Sequence, residues 1–128
     1  MSTALNIVQQ AYAAFGRHDI PALLELVLGE VDWECAVPAS LPYAGKRRTR
    51  AEVADFFAAI PRVDDIHVFE PREFIDAGEH VVVLGWEKTT ALDTNKLYET
   101  DWVHVCTVRN DRIVLWRGFF DTAARYAI

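Results

Sequence analysis

The chain has 128 residues, 52% of them hydrophobic, and a formal net charge of −6. That is one domain with enough apolar side chains for a single core plus a cavity, and the acidic balance argues against a nucleic-acid partner, which needs a basic stripe to displace phosphate counterions. The longest apolar runs, such as Val81 to Leu84, have strand length, and no basic start precedes an apolar block around Gln9 and Gln10; no membrane span and no signal peptide are predicted, and the expected location is cytoplasmic.

From Thr3 the positions Leu5, Val8, Ala11, Tyr12 and Phe15 recur at helical spacing, which predicts an amphipathic helix ending near Gly16. Asp19 reads as the N-cap of a short second helix with Pro21 in its first turn, Leu23, Leu24 and Val27 facing inward and Gly29 as its end. Val31 to Val37 alternates as a strand, with Trp33 and Cys35 inside and Asp32 and Glu34 outside. The segment from Pro38 to Gly45 reads as a loop whose Tyr43 overhangs a cavity. Lys46, Arg47, Arg48 and Arg50 form a basic cluster, either a solvated loop entering a helix or an anion site. Thr49 to Glu52 is a Thr-x-x-Glu capping box, followed by Val53, Phe56, Phe57 and Ile60 as the apolar face of a third helix that Pro61 stops.

Strands are predicted at Ile66 to Phe69 and Glu73 to Ile75, then a turn at Asp76, Ala77 and Gly78. A long hairpin follows, His80 to Ala91 against Leu97 to Val108, joined through Asp93, Thr94, Asn95 and Lys96. With the turn centred near Thr94, Trp86 faces Trp102 and Leu84 faces His104, which sets one imidazole among apolar walls. A turn at Asn110 and Asp111 leads to a last strand, Ile113 to Asp121. Three helices interleaved with one early strand and followed by an antiparallel meander make an α+β fold. The meander is apolar on both faces and three short helices cover only one, so the other face predicts a homodimer. Cys35 and Cys106 stand without a CxxC or His-rich motif, which predicts reduced thiols and neither a metal site nor a disulfide.

The chain resembles the nuclear transport factor 2-like superfamily, in its SnoaL-like and ketosteroid isomerase-related branch. The resemblance rests on Tyr12 through Phe15 with His18-Asp19, on Pro42-Tyr43-Ala44-Gly45, on Trp102-Val103-His104-Val105, and on Arg112-Ile113-Val114 through Phe120-Asp121-Thr122-Ala123. It implies a cone of curved, largely antiparallel mixed sheet with three N-terminal helices (a cystatin-like α+β barrel), a pocket at the mouth of the cone, and a dimer built through the sheet. The superfamily holds isomerases, polyketide cyclases, dehydratases, epoxide hydrolases and non-catalytic binding domains, so the residues must name the reaction. In an ungapped alignment the isomerase's base position falls on Cys35, its tyrosine position on Ala11 and its protonated carboxyl position on His104, while the cyclases' acid/base aspartate falls on Gly118.

The residues therefore point to His104 as the catalytic or ligand-orienting group, the competing reading being a core histidine hydrogen-bonded to a neighbour. Asp121 shares strand parity with Arg117 and Phe119, opposite to Trp116, Gly118 and Phe120; the tryptophan set is expected in the cavity, and a β-bulge would bring Asp121 there instead. Trp33, Cys35, Tyr43, Trp86, Trp102 and Trp116 are the expected ligand-lining residues, Cys35 as an inert buried thiol. The resulting expectation is a cofactor-independent isomerase, cyclase or lyase acting on a small hydrophobic cyclic or polyketide-like carbonyl compound, with Tyr43 or a tryptophan indole as hydrogen-bond donor. The alternatives are a non-catalytic module binding a small hydrophobic ligand and a domain used only for dimerisation.

Overall fold

Asp19 starts the second helix as its side chain predicts, accepting a hydrogen bond from the Ala22 amide at 3.1 Å. In the computed structural model, which describes residues 3–126, this is α2 (Ile20–Glu25), preceded by α1 (Thr3–Gly16) and followed by β1 (Val27–Cys35). The helix ends four residues before Gly29, which lies within β1. The cause is β6 (Arg112–Phe120), whose Ile113 amide takes the Leu26 carbonyl at 2.7 Å and draws the chain into the sheet. In α1 the buried side chains are Ala4, Ile7, Val8, Ala11 and Ala14, one stripe at helical spacing.

The basic cluster is not a loop. Gly45–Thr49 is β2, an edge strand paired antiparallel with β1, and its charges guard the open edge of the sheet. Arg47 donates to the Pro42 carbonyl at 2.9 Å and Arg50 to the Val27 carbonyl at 2.7 and 3.0 Å, so both guanidiniums are held by backbone. The helix α3 (Arg50–Val63) is capped by Thr49, which accepts from the Glu52 amide at 3.2 Å. It runs through Pro61 rather than stopping there, because in the last turn a proline removes one intrahelical donor and Asp64 closes the end on the Ile60 carbonyl.

The sheet order is β2-β1-β6-β5-β4-β3, with β3 (Asp64–Ala77), β4 (His80–Ala91) and β5 (Lys96–Arg109) forming the meander. Only β1 and β6 run parallel, so the sheet is mixed, curved and unclosed. The two short strands expected before the hairpin are one 14-residue strand, β3, with irregularities at Ile66/Val68 and Pro71/Glu73. Pro71 is tolerated because β3 is the other edge. The helices α1 and α3 pack on one face, α1 against β3, β4 and β5, and α3 against β1, β2 and β3.

The hairpin strands lie where the pattern puts them, but their register is displaced by one residue. The turn occupies Leu92 to Asn95, so Val83 faces His104, Gly85 faces Trp102, and Trp86 faces Asp101. A one-residue slip exchanges the faces of a strand, and Val81, Val83, Gly85, Glu87 and Thr89 therefore point inward. Gly85 is required there: a Cβ would stand 2.1 Å from the Trp102 ring. Gly85→Ala is expected to cost about 1–3 kcal/mol through overpacking. Gly29→Ala, where a Cβ meets nothing within 4 Å, serves as the control; equal denaturation midpoints for the two variants would contradict the account.

After Phe120 the chain forms a short helix, α4 (Thr122–Tyr126), which the sequence pattern does not announce. No helix among the described residues is long and apolar enough to cross a membrane. On the outward face of the sheet Val103 and Phe119 are exposed cross-strand neighbours.

Candidate active site

Between the inward face of the sheet and helices α1 to α3 lies a cavity of about 110 Å³. Its walls are mostly aromatic, with Phe15, Trp33, Phe56, Phe57, Phe69, Trp116 and Phe120, and among the described residues no lysine or arginine lines it. Trp33 and Trp116, side by side on β1 and β6, stack at 4.6 Å between ring centres. Gly118 leaves the room that the Trp116 ring fills, since a Cβ there would stand 2.3 Å from it. The residues with polar groups that border the cavity are Tyr12, Tyr43, Glu87, His104, Cys35, Cys106, Trp33 and Trp116.

At one end, the Tyr12 hydroxyl is hydrogen-bonded to His104 Nδ1. Trp116 and Cys106 border the cavity beside the same hydroxyl. Whichever of the two donates, the couple keeps one proton to give: the Nε2–H of His104 where Tyr12 donates to Nδ1, the Tyr12 O–H where Nδ1 donates to it. The ring of His104 lies 4.2 Å from that of Trp102 and 4.8 Å from that of Trp116, centre to centre. Burial among these rings pushes its pKa down to about 3, so at neutral pH it is an uncharged donor and a feeble base. Burial also holds the Tyr12 hydroxyl well above its ordinary value, hence protonated.

At the other end, Glu87 lines the cavity from β4 and accepts a hydrogen bond from the Thr89 hydroxyl at 2.8 Å. Burial raises its pKa to about 7; the Thr89 bond opposes the shift and the neighbouring charge of Asp64 adds to it. Such a carboxyl exchanges protons at physiological pH. Beside it, Tyr43 donates to Asp64 at 2.7 Å, and Asp64 is held by Arg125 of α4 at 3.1 and 3.2 Å. Arg125 reaches Asp93 as well, at 3.2 Å, and its side chain is 1% exposed. Burial, with help from Glu87 and Asp64, pushes the Cys35 thiol up to about 12, which makes it inert as a nucleophile.

Of the residues expected at the site, Trp33, Cys35, Tyr43, His104 and Trp116 border the cavity. Trp102 is on the inward face, stacked behind His104, and does not reach it. Trp86 is misplaced by the expected register: it points outward, with the Arg72 guanidinium 5.1 Å from its ring. Asp121 is also corrected. No bulge interrupts β6 near it; the residue is exposed, and its Oδ1 accepts from the Ala123 amide at 3.1 Å at the start of α4. Arg117 pairs with Asp32 at 2.8 Å and Glu34 at 3.5 Å on the outer face.

Sequence reasoning read Tyr12 only as part of the apolar stripe of α1, whereas it borders the cavity with its hydroxyl bonded to His104. It missed Glu87 altogether, because the expected register turned that side chain outward. A signal existed: Gly85 is the only residue of β4 without a side chain, and setting it opposite a tryptophan fixes the register.

The sequence matches the model of the SnoaL-like domain over residues 8–116. The chain belongs to the SnoaL-like family. Solved structures agree. An NTF2-like protein from Burkholderia thailandensis E264 is 30% identical with a TM-score of 0.88, covering 98% of this chain and 96% of that one. Another from Burkholderia xenovorans LB400 is 33% identical with a TM-score of 0.83, covering 95% and 92%. TerC, crystallised with polyporic acid, is 28% identical with a TM-score of 0.82, covering 98% and 96%. Among curated proteins none matches the chain. The family and its fold are as the motifs implied.

Proposed function

We propose that this SnoaL-like protein is a cofactor-independent acid/base enzyme, an isomerase, cyclase or lyase acting on a small hydrophobic cyclic carbonyl compound. The observation that carries the reading is the pairing, in one aromatic cavity, of a carboxyl with a pKa of about 7 and a neutral donor couple, Glu87 at one end and Tyr12–His104 at the other. Glu87 lies four residues along β4 from Val83, which faces His104, a backbone separation of roughly 13 Å, so the two groups border the one cavity from different points. The Glu87 carboxylate takes an α-proton from the ring, the developing enolate oxygen is met by the Tyr12–His104 couple, and the same carboxyl returns the proton at another carbon. Donors already aimed at the oxygen make the enolate accessible without reorganisation. That TerC, a similar structure, was co-crystallised with polyporic acid supports an organic ligand for this fold.

The test is isomerisation of the single-ring β,γ-unsaturated ketone 3-cyclohexenone, followed by the absorbance of its conjugated product. Wild type is expected to accelerate it, His104→Ala to lose about 10²–10³ of the rate as an oxyanion donor does, and Asp121→Asn to keep it. Equal rates in wild type and His104→Ala would remove the assignment. A homodimer through Val103 and Phe119 belongs to the same proposal, checked by the molar mass in solution of Phe119→Lys against wild type.

A further inference from the structure

Gly118 of β6 pairs with Cys35 of β1 on one side and with His104 of β5 on the other, so the three stand in one row across the inner face of the sheet. The middle of that row has no side chain of its own. The benzo edge of Trp116 lies there instead: a Cβ at position 118 would stand 2.3 Å from its Cη2, 2.7 Å from its Cζ2 and 3.0 Å from its Cζ3. Three rings hold the indole in place, Trp33 at 4.6 Å, His104 at 4.8 Å and Phe56 at 5.5 Å between centres. All three border the cavity, as do Trp116 itself and Cys35. A large flat side chain laid over a glycine therefore fills the sheet floor between Cys35 and His104.

We propose that Trp116, seated on Gly118, is the residue that sets the size of the molecule this cavity accepts: it limits the cavity to a single small ring, and a shorter side chain at position 116 admits two fused rings. The volume agrees, since about 110 Å³ lies below the roughly 150 Å³ of a dry protein cavity that holds benzene. The packing gives the direction of each change. Trp116→Phe takes the benzo edge off Gly118 and joins the vacated space to the cavity, because the surroundings of a shortened core side chain relax only in part. Gly118→Ala does the reverse: the added methyl displaces the ring, and the unfilled volume beside that ring is the cavity. The proposal rests on the reading above only in that the cavity takes a ligand; it does not require turnover.

Benzene and naphthalene are the probes, titrated by ligand-observed NMR into wild type, Trp116→Phe, Gly118→Ala and the control Gly29→Ala. Wild type and the control are expected to prefer benzene. In Trp116→Phe the ratio of naphthalene to benzene affinity is expected to rise about tenfold or more, the scale on which an apolar pocket discriminates by size. In Gly118→Ala benzene is expected to weaken by about the same factor. Both probes are measured on one sample, so a loss of folded protein cancels from the ratio, and a variant that is merely less stable leaves the ratio as it was. An unchanged ratio in Trp116→Phe, or benzene bound by Gly118→Ala as tightly as by wild type, overturns this proposal alone. Binding of neither probe by any of the four proteins overturns the cavity as a ligand site, and the proposal with it.

Discussion

Glu87→Gln is expected to yield a protein more stable than wild type at pH 8 and slower by about 10²–10⁴, the usual contribution of a positioned general base. The stability change follows from linkage. The carboxyl titrates near 7 in the folded chain against an ordinary value of 4.5, so between those two values the folded state binds the extra proton. Stability conferred by that proton is present below pH 4.5 and is lost as pH rises through 7, by about 3 kcal/mol at most. Glutamine keeps the neutral shape at every pH. The gain over wild type should therefore be absent at pH 4.5, grow through pH 7 and level off above it. His104, whose own lowered pKa destabilises the fold in acid, is common to both proteins and cancels from the difference. Chemical denaturation of the pair across that range is the measurement, and a difference that does not vary with pH would show that Glu87 is not buried as described. The rate of wild type on 3-cyclohexenone should rise over the same window as the carboxylate forms.

Arg125→Met is expected to be the most damaging single change to the fold, at about 3–5 kcal/mol, because it strands the Asp64 carboxylate, 6% exposed, without its cation. Asp93 is about half exposed at its side chain, so Asp93→Asn should cost less than about 1 kcal/mol. The double variant Arg125→Met with Asp64→Asn should recover much of the loss, since a neutral amide still accepts the Tyr43 hydroxyl. Urea midpoints of the four proteins decide the matter; no recovery in the double variant would mean that Arg125 acts by packing and not by charge.

Much of the architecture is readable from the residues because the helices carry local signals: a stripe in α1, Asp19 and Pro21 in α2, Thr49 and Glu52 in α3. The long strands are equally plain in their boundaries. What escapes is whatever pairing decides. β2 is composed of Gly45, Lys46, Arg47, Arg48 and Thr49, and only its bonds to β1 make it a strand. β4 is apolar at both parities, Val81 and Val83 as well as Val82 and Leu84, so its alternation could not choose a face. That choice carried Trp86 into the expected site and Glu87 out of it. His104 survived because β5 alternates more clearly, with Trp102 and Cys106 buried and Asp101 and Val103 exposed. The Arg125–Asp64 pair joins residues 61 apart, beyond the reach of any local pattern.

The parallel pairing of β1 with β6 has a kinetic consequence. Asp32 and Arg117, which meet across it, are 85 residues apart, and every strand between them must be made before that pairing can form. During synthesis the indole of Trp33 therefore waits, unsheltered by Trp116, until β6 has left the ribosome. Contacts of such long range slow folding and lengthen the time that apolar surface stays open to aggregation. The hollow between Trp33, Trp116 and the helices is thus among the last parts of the sheet's inner face to come into being.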